Sequence, residues 1–223
     1  MNKCYLIVFL LVFAACTQTP DADKAVTEAP KKEVKAQEKS ERPVISGLTY
    51  QVDFEKSKVS FVGSTPVKQH TGDFKISAGS MRVEKGQVLA GNFKIDLESL
   101  QITDLKGKKA EKLRGHLLSE DFFNADVYKS CIFGITKMEK HNVSNQQMKM
   151  AGATHVVTGN LTLLGVTKSI KFPAIIKGDK ELNIKATFNI NRNDWGISYG
   201  NDESLKDRFI RPDVNITLDV FAS

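Results

Sequence analysis

The sequence predicts an all-β protein, a closed antiparallel barrel of about eight strands with one short helical insert near residues 108–123. Three observations carry that prediction. From Leu48 onward apolar residues recur at every second position, the period of a half-buried strand. Gly-containing turn sequences separate these segments, and only one stretch of the chain has helical spacing.

The chain opens M-N-K-C and runs from Tyr5 to Ala15 without a charge. That is too short to span a bilayer and suits the core of an export signal, so residues 1–15 are read as a signal peptide. Phe13, Ala14, Ala15 and Cys16 resemble the lipobox of bacterial lipoproteins, which implies lipidation of Cys16 as the mature N-terminus. The alternative is an ordinary cleaved signal with an incidental cysteine. Thr17, not being Asp, fits transfer to the outer membrane under the usual lipoprotein sorting rule, and the expected location is the periplasmic side of the bacterial envelope. Only Cys131 then remains free, so no internal disulfide forms. A domain of about 180 residues can still bury about 70% of the surface its unfolded chain exposes.

Residues 16–43 read as the lipidated cysteine and a flexible linker. The stretch from Thr17 to Pro43 has no aromatic residue, and its acids and bases balance. Such a tether has a reach of roughly 26–31 Å, which lets a domain at residues 44–223 reorient above the membrane. The net charge of +6 belongs mostly to that domain. No basic run interleaved with aromatics appears, so a solvated surface or a neighbouring anionic lipid suits it better than nucleic acid.

Val59 and Phe61 alternate with Ser60, Phe74 and Ile76 with Lys75, and Phe93, Ile95 and Leu97 with Lys94 and Asp96. Cys131 is in phase with Phe133 and Ile135, and Leu161 with Leu163 across Thr162. The clearest alternation runs through Leu182, Ile184, Ala186, Phe188 and Ile190, and Val214 to Val220 repeats it. Turns are expected at Ala78-Gly79-Ser80, Lys85-Gly86 and Lys177-Gly178-Asp179. An outer-membrane barrel has the same period, but one Trp and four Tyr are few for two interfacial girdles. The apolar face is therefore expected to line a lumen. Its candidate lining is Phe61, Phe74, Phe93, Leu117, Phe122, Phe123, Cys131, Phe133, Ile135, Leu161, Leu163, Phe172, Phe188, Ile190 and Trp195, with Trp195 plugging one end.

Leu113 to Asn124, L-R-G-H-L-L-S-E-D-F-F-N, crowds an imidazole, two carboxylates and two adjacent rings. Ala110, Leu113 and Leu117 share one side of a short helix over Lys108–Leu118. Ser119 is expected to cap a second helical turn begun by Glu120 and Asp121, with one of the two rings in the core and the other over an opening. His116, Leu117, Ser119, Asp121, Phe122, Phe123 and Tyr128 resemble the signature of the YceI-like family. V-T-G-N-L-T-L-L-G-V-T-K from Val157 and I-N-R-N-D-W-G from Ile190 are similar to further family patterns, in the same order. The resemblance covers roughly residues 48–221 and implies a lipocalin-like barrel that holds a long isoprenoid-type lipid in the cell envelope.

Catalysis has no support. There is no Gly-x-Ser-x-Gly elbow, Cys131 lies inside a strand, and Glu120 and Asp121 are adjacent rather than opposed. No two of His70, His116, His141 and His155 stand at the close spacing of a metal site, so no metal is expected unless His70 and His116 converge with Asp121. These three are read as polar groups at the mouth. The leading expectation is a non-enzymatic protein without a cofactor, binding in its lumen the tail of an isoprenoid quinone, an isoprenyl phosphate or a related amphiphilic lipid. The alternative is a barrel filled by its own phenylalanines that serves adhesion or assembly.

Overall fold

A computed structural model of the chain describes residues 17–31, 47–141 and 149–223. Two short strands, β1 (Asp23–Lys24) and β2 (Val26–Glu28), precede β3 (Leu48–Gln51), β4 (Lys58–Ser64), β5 (Gln69–Glu84) and β6 (Gln87–Ile102). Helix α1 (Gly107–Leu118) follows, and then β7 (Ser130–Lys140), β8 (His155–Leu163), β9 (Val166–Lys177), β10 (Leu182–Asn191) and β11 (Asp213–Ala222). Strands β4 to β11 pair antiparallel in sequence order, and β11 returns to β4, with Ile216 opposite Phe61 and Leu218 opposite Val59. The eight-stranded barrel is thereby closed and lipocalin-like. β3 adds to the outer end of β5.

Turn residues mark one of the expected strand breaks as an interruption of a different kind. Lys85 and Gly86 form a two-residue hairpin with positive φ at both positions (49° and 74°), the geometry that matches strand twist. Ala78-Gly79-Ser80, by contrast, lies inside the sixteen-residue β5, where the register with β6 slips between Ile76 and Ala78. The extra residue there is absorbed as a β-bulge that bends the long strand around the barrel.

The expected linker is corrected over its described part. Residues 17–31 lie along the barrel wall: β1 pairs parallel with β10 (Asp23 opposite Phe188), and β2 pairs antiparallel with β9 (Val26 opposite Lys171). The reason is an open seam. β9 and β10 pair directly only at residues 175–177 against 183–185, so toward the other end their edges carry N–H and C=O groups that need partners. The strap supplies them and inserts Ala25, 5% exposed, into the core. The Asp23 carboxylate accepts from the Lys149 and Met150 N–H groups at 2.6 and 2.9 Å. Asn160 and Lys31 exchange two bonds at 2.7 and 3.0 Å, and Asn189 donates to the Pro20 carbonyl at 3.0 Å. A segment too polar to fold alone is ordered by strand edges left open for it. Residues 32–43 of the expected linker, Cys16 and the signal segment lie outside the described residues.

Helix α1 begins within a residue of its expected start and ends at Leu118. Ser119 does not start a second helical turn. It closes the first one, with its N–H bonded to the Gly115 and His116 carbonyls and its Oγ donating to His116 O at 2.8 Å. Residues 120–127 continue as turns.

Candidate functional site

The inward face of the strands encloses a cavity of about 510 Å³, within the range of small-molecule sites. All but one of the side chains expected in the lumen face it, from Phe61 on β4 to Ile190 on β10, with Leu117 of α1 and Phe122 and Phe123 of the following turn. Their roles in binding are taken up below. Trp195 is the exception. It sits in a 3₁₀ turn, Arg192–Trp195, at 1% exposure, and its Nε1 donates to the Leu161 carbonyl at 3.1 Å. The indole is packing at the barrel end rather than cavity wall, because a buried indole N–H needs a carbonyl and the end of β8 offers one.

Five ring contacts join the phenylalanines of the cavity wall into two groups: Phe61 with Phe74 (5.7 Å) and Phe74 with Phe123 (5.5 Å), and separately Phe93 with Phe133 (6.3 Å), Phe133 with Phe172 (5.8 Å) and Phe172 with Phe188 (4.0 Å). Glycine makes room for them. A Cβ on Gly159 would overlap the Phe133 ring and the Gly134 carbonyl oxygen. Phe122 and Phe123 both reach the cavity, although one was expected over an opening. The chain between α1 and β7 is a series of turns, in which adjacent side chains need not diverge as they do on a strand. Cys131 shows part of its surface, and that surface belongs to the cavity wall. Burial pushes its thiol up to about 12.

The polar groups expected at the mouth separate into two pairs. His70 Nδ1 lies 2.7 Å from Asp104 Oδ2, while Asp104 Oδ1 accepts from the Thr71 N–H at 2.9 Å. Burial raises the Asp104 pKa, but the Thr71 N–H and His70 outweigh it and hold the carboxyl below its ordinary value. His116 Nε2 lies 3.1 Å from Asp121 Oδ2, and its ring meets those of Phe122 and Tyr199 edge-on at 5.1 and 4.9 Å. His70 and His116 border the cavity, whereas Asp121 is exposed outside it. The two histidines do not converge on Asp121, and among the described residues no three His, Cys, Asp or Glu side chains come together as a metal site.

The sequence reading missed Lys68, Tyr199, Arg208 and Arg192, all of which border the cavity. Arg192 is 4% exposed and donates to the carbonyls of Ile197 (2.6 Å), Ile210 (2.8 Å) and Arg211 (3.3 Å). Burial lowers its pKa. A signal for it was present, since the apolar phase of β10 through Leu182, Phe188 and Ile190, continued by two, falls on residue 192. Tyr199 and Lys68 lie in loops and Arg208 ends a short 3₁₀ turn, Glu203–Arg208, where no periodicity points inward.

The YceI-like domain model matches residues 50–222, most of the chain and the whole closed barrel. The chain belongs to the YceI-like family. A UPF0312 protein of Pseudomonas putida is 28% identical over 147 residues, 63% of this chain and 68% of its own length. A UPF0312 protein of Photorhabdus laumondii is 31% identical over 108 residues, 48% of this chain and 49% of its own. Among solved structures, Burkholderia cenocepacia BcnA is 20% identical with a TM-score of 0.60, covering 77% of this chain and 99% of that one. A polyisoprenoid binding domain from Saccharophagus degradans implicated in plant cell wall breakdown is 17% identical with a TM-score of 0.54, covering 78% and 97%. At these identities the two structures share the YceI-like fold with this chain.

Proposed function

We propose that this YceI-like barrel is a non-catalytic carrier or store for an amphiphilic lipid, with the apolar tail in the cavity and the head group at the rim beside His116 and Tyr199. One observation carries the reading: a cavity of about 510 Å³ remains in a barrel whose inward face holds phenylalanine and aliphatic side chains almost throughout. A self-filled barrel would have used that space for packing, since interiors otherwise approach crystal density. Each methylene buried there contributes about 0.8 kcal/mol, so a tail of several isoprene units is held mainly by apolar contact. The Saccharophagus relative is described as binding a polyisoprenoid, which supports that class of tail, with an isoprenoid quinone or isoprenyl phosphate as the candidate ligand. We place the protein on the periplasmic side of the outer membrane, held by a lipid on Cys16. Cys16→Ser should release it into the soluble periplasmic fraction, and a variant that stays on salt-washed membranes refutes the anchor.

The ligand is tested by mass spectrometry of organic extracts from the purified protein. Leu163 is 7% exposed and faces the cavity, while Thr162 turns away and bonds Thr167 Oγ1 through its hydroxyl at 2.8 Å. Leu163→Lys places an ammonium, or the bulk of a side chain reaching for water, in the tail's volume. It should abolish co-purifying lipid, and Thr162→Lys should leave it intact, both variants being folded by circular dichroism. A folded Leu163→Lys protein that retains the parent's lipid refutes a luminal ligand.

A further inference from the structure

The barrel end that carries the cavity mouth sets exposed bases beside exposed apolar side chains. Helix α1 lies across it, with Leu113, His116 and Leu117 turned to the cavity. Lys108, Lys109 and Lys112 fall within about a 100° arc of the helix that also holds His116 and adjoins the cavity-facing side. These three and Lys106 are exposed, and among the described residues none of the four has an ion-pair partner. Glu111 is the only acid on the helix. Exposed Lys68 borders the same mouth. The acids nearby do not cancel this surplus. Asp104 is engaged by His70, Asp202 accepts from the Ser204 N–H, and in the Glu203–Arg208 segment Glu203 and Asp207 stand against Lys206 and Arg208. Glu120 and Asp121 follow the helix at its far end, with Asp121 paired to His116.

Apolar groups stand out beside these bases. Val67, in the β4–β5 loop, is 54% exposed, and Tyr199 is 45% exposed. The loops are fastened to one another, with the Arg211 N–H bonded to Ser64 O at 2.8 Å and the Ile210 N–H to Gly200 O at 2.7 Å. The same rim holds the start of the strap. The Thr17 N–H donates to Pro66 O at 3.0 Å, its Oγ1 to Thr65 O at 2.8 Å, and Arg211 Nη2 donates to Thr17 O at 3.2 Å. Thr17 thus sits at the rim next to the loop that carries Val67.

We propose that this rim is a membrane-docking face: the α1 lysines and Lys68 meet anionic head groups while Val67 and Tyr199 enter the interface, so that the cavity mouth opens onto an anionic lipid surface. Exposed bases flanking protruding apolar groups are the pairing that such a surface recognises. Docking this way replaces free reorientation on a tether with a fixed approach, mouth down, from which a tail can pass between bilayer and lumen without crossing water. The charge and the apolar rim carry the inference by themselves. The position of Thr17 strengthens it to the extent that the lipid anchor on Cys16 holds.

The test uses the intact protein reconstituted on vesicles of phosphatidylethanolamine with about a quarter phosphatidylglycerol, and on phosphatidylcholine vesicles. Amine acetylation is read lysine by lysine by mass spectrometry. Lys106, Lys108, Lys109, Lys112 and Lys68 should be modified at least about fivefold more slowly on the anionic vesicles, and about 0.5 M salt should remove most of that protection. Lys85 and Lys180, exposed in the hairpins at the opposite barrel end, serve as internal controls and should react at the same rate on both. Lys108→Glu with Lys112→Glu should return the protection at Lys68 to the phosphatidylcholine level. Equal rates at both barrel ends, or equal protection on both vesicles, overturn the proposal. The mass spectrum of lipid extracted from the same preparations keeps the two readings apart. A charge-reversed variant that retains its luminal lipid but loses rim protection supports docking, and an empty lumen beside a protected rim sinks the carrier reading alone.

Discussion

Replacing Arg192 with alanine should loosen the whole closure of the barrel mouth. The guanidinium is 4% exposed and donates to three carbonyls, those of Ile197, Ile210 and Arg211, which lie on both limbs of the excursion between β10 and β11. Net contributions of hydrogen bonds from charged donors run about 1.5–3 kcal/mol. The bonds at 2.6 and 2.8 Å together therefore contribute about 3–6 kcal/mol, and the one at 3.3 Å adds little. Against this stands the desolvation of a cation that faces no carboxylate, the same cost that lowers the Arg192 pKa. The expected net loss is about 2–4 kcal/mol, larger than a typical point substitution and large against the total stability of a domain. Urea unfolding followed by circular dichroism measures it, with an unchanged m-value as the sign that the native fold persists. Arg192→Met separates packing from bonding, because it keeps most of the volume and leaves the three carbonyls unpaired. Amide hydrogen exchange at residues 197–211 should rise in both variants. A methionine variant within about 0.5 kcal/mol of the parent would mean the carbonyls find other donors, and the clamp argument fails.

Two further outcomes follow from the same structure. Cys131 should resist thiolate-directed reagents in the native protein up to about pH 10 and label readily in urea. Its folded pKa of about 12 exceeds the ordinary 9.0, so its contribution to stability is full below pH 9 and is lost as pH rises toward 12. Fast labelling at pH 8 would show that the thiol faces outward. Ala25→Asp should place a carboxylate in the core beneath the β9–β10 seam, where Ala25 is 5% exposed and its N–H is bonded to Asn189 O at 2.8 Å. The strap at residues 17–31 should then be cut rapidly by protease while the barrel core stays resistant. Unchanged resistance of the strap refutes its role as a seam filler.

The sequence by itself determined the barrel and its inside. A closed sheet has one buried face, so a strict period of two assigns each of Phe61, Phe93, Phe133, Leu163 and Phe188 to the lumen without knowledge of its neighbours. It also determined the single helix, because Ala110, Leu113 and Leu117 repeat at the only other regular spacing. Tertiary structure alone decided what lies outside those periods. The pairing of His70 with Asp104, 34 positions along the chain, and the gathering of Lys68, Tyr199 and Arg208 at the mouth depend on where separate loops end, which no local pattern encodes. Arg192 kept the strand phase, but its burial depended on carbonyls 5, 18 and 19 residues away. The strap was illegible for a sharper reason. Composition says whether a segment can order itself, and residues 17–31 cannot; they are ordered by the edges of β9 and β10, which pair with each other at one end of the seam only.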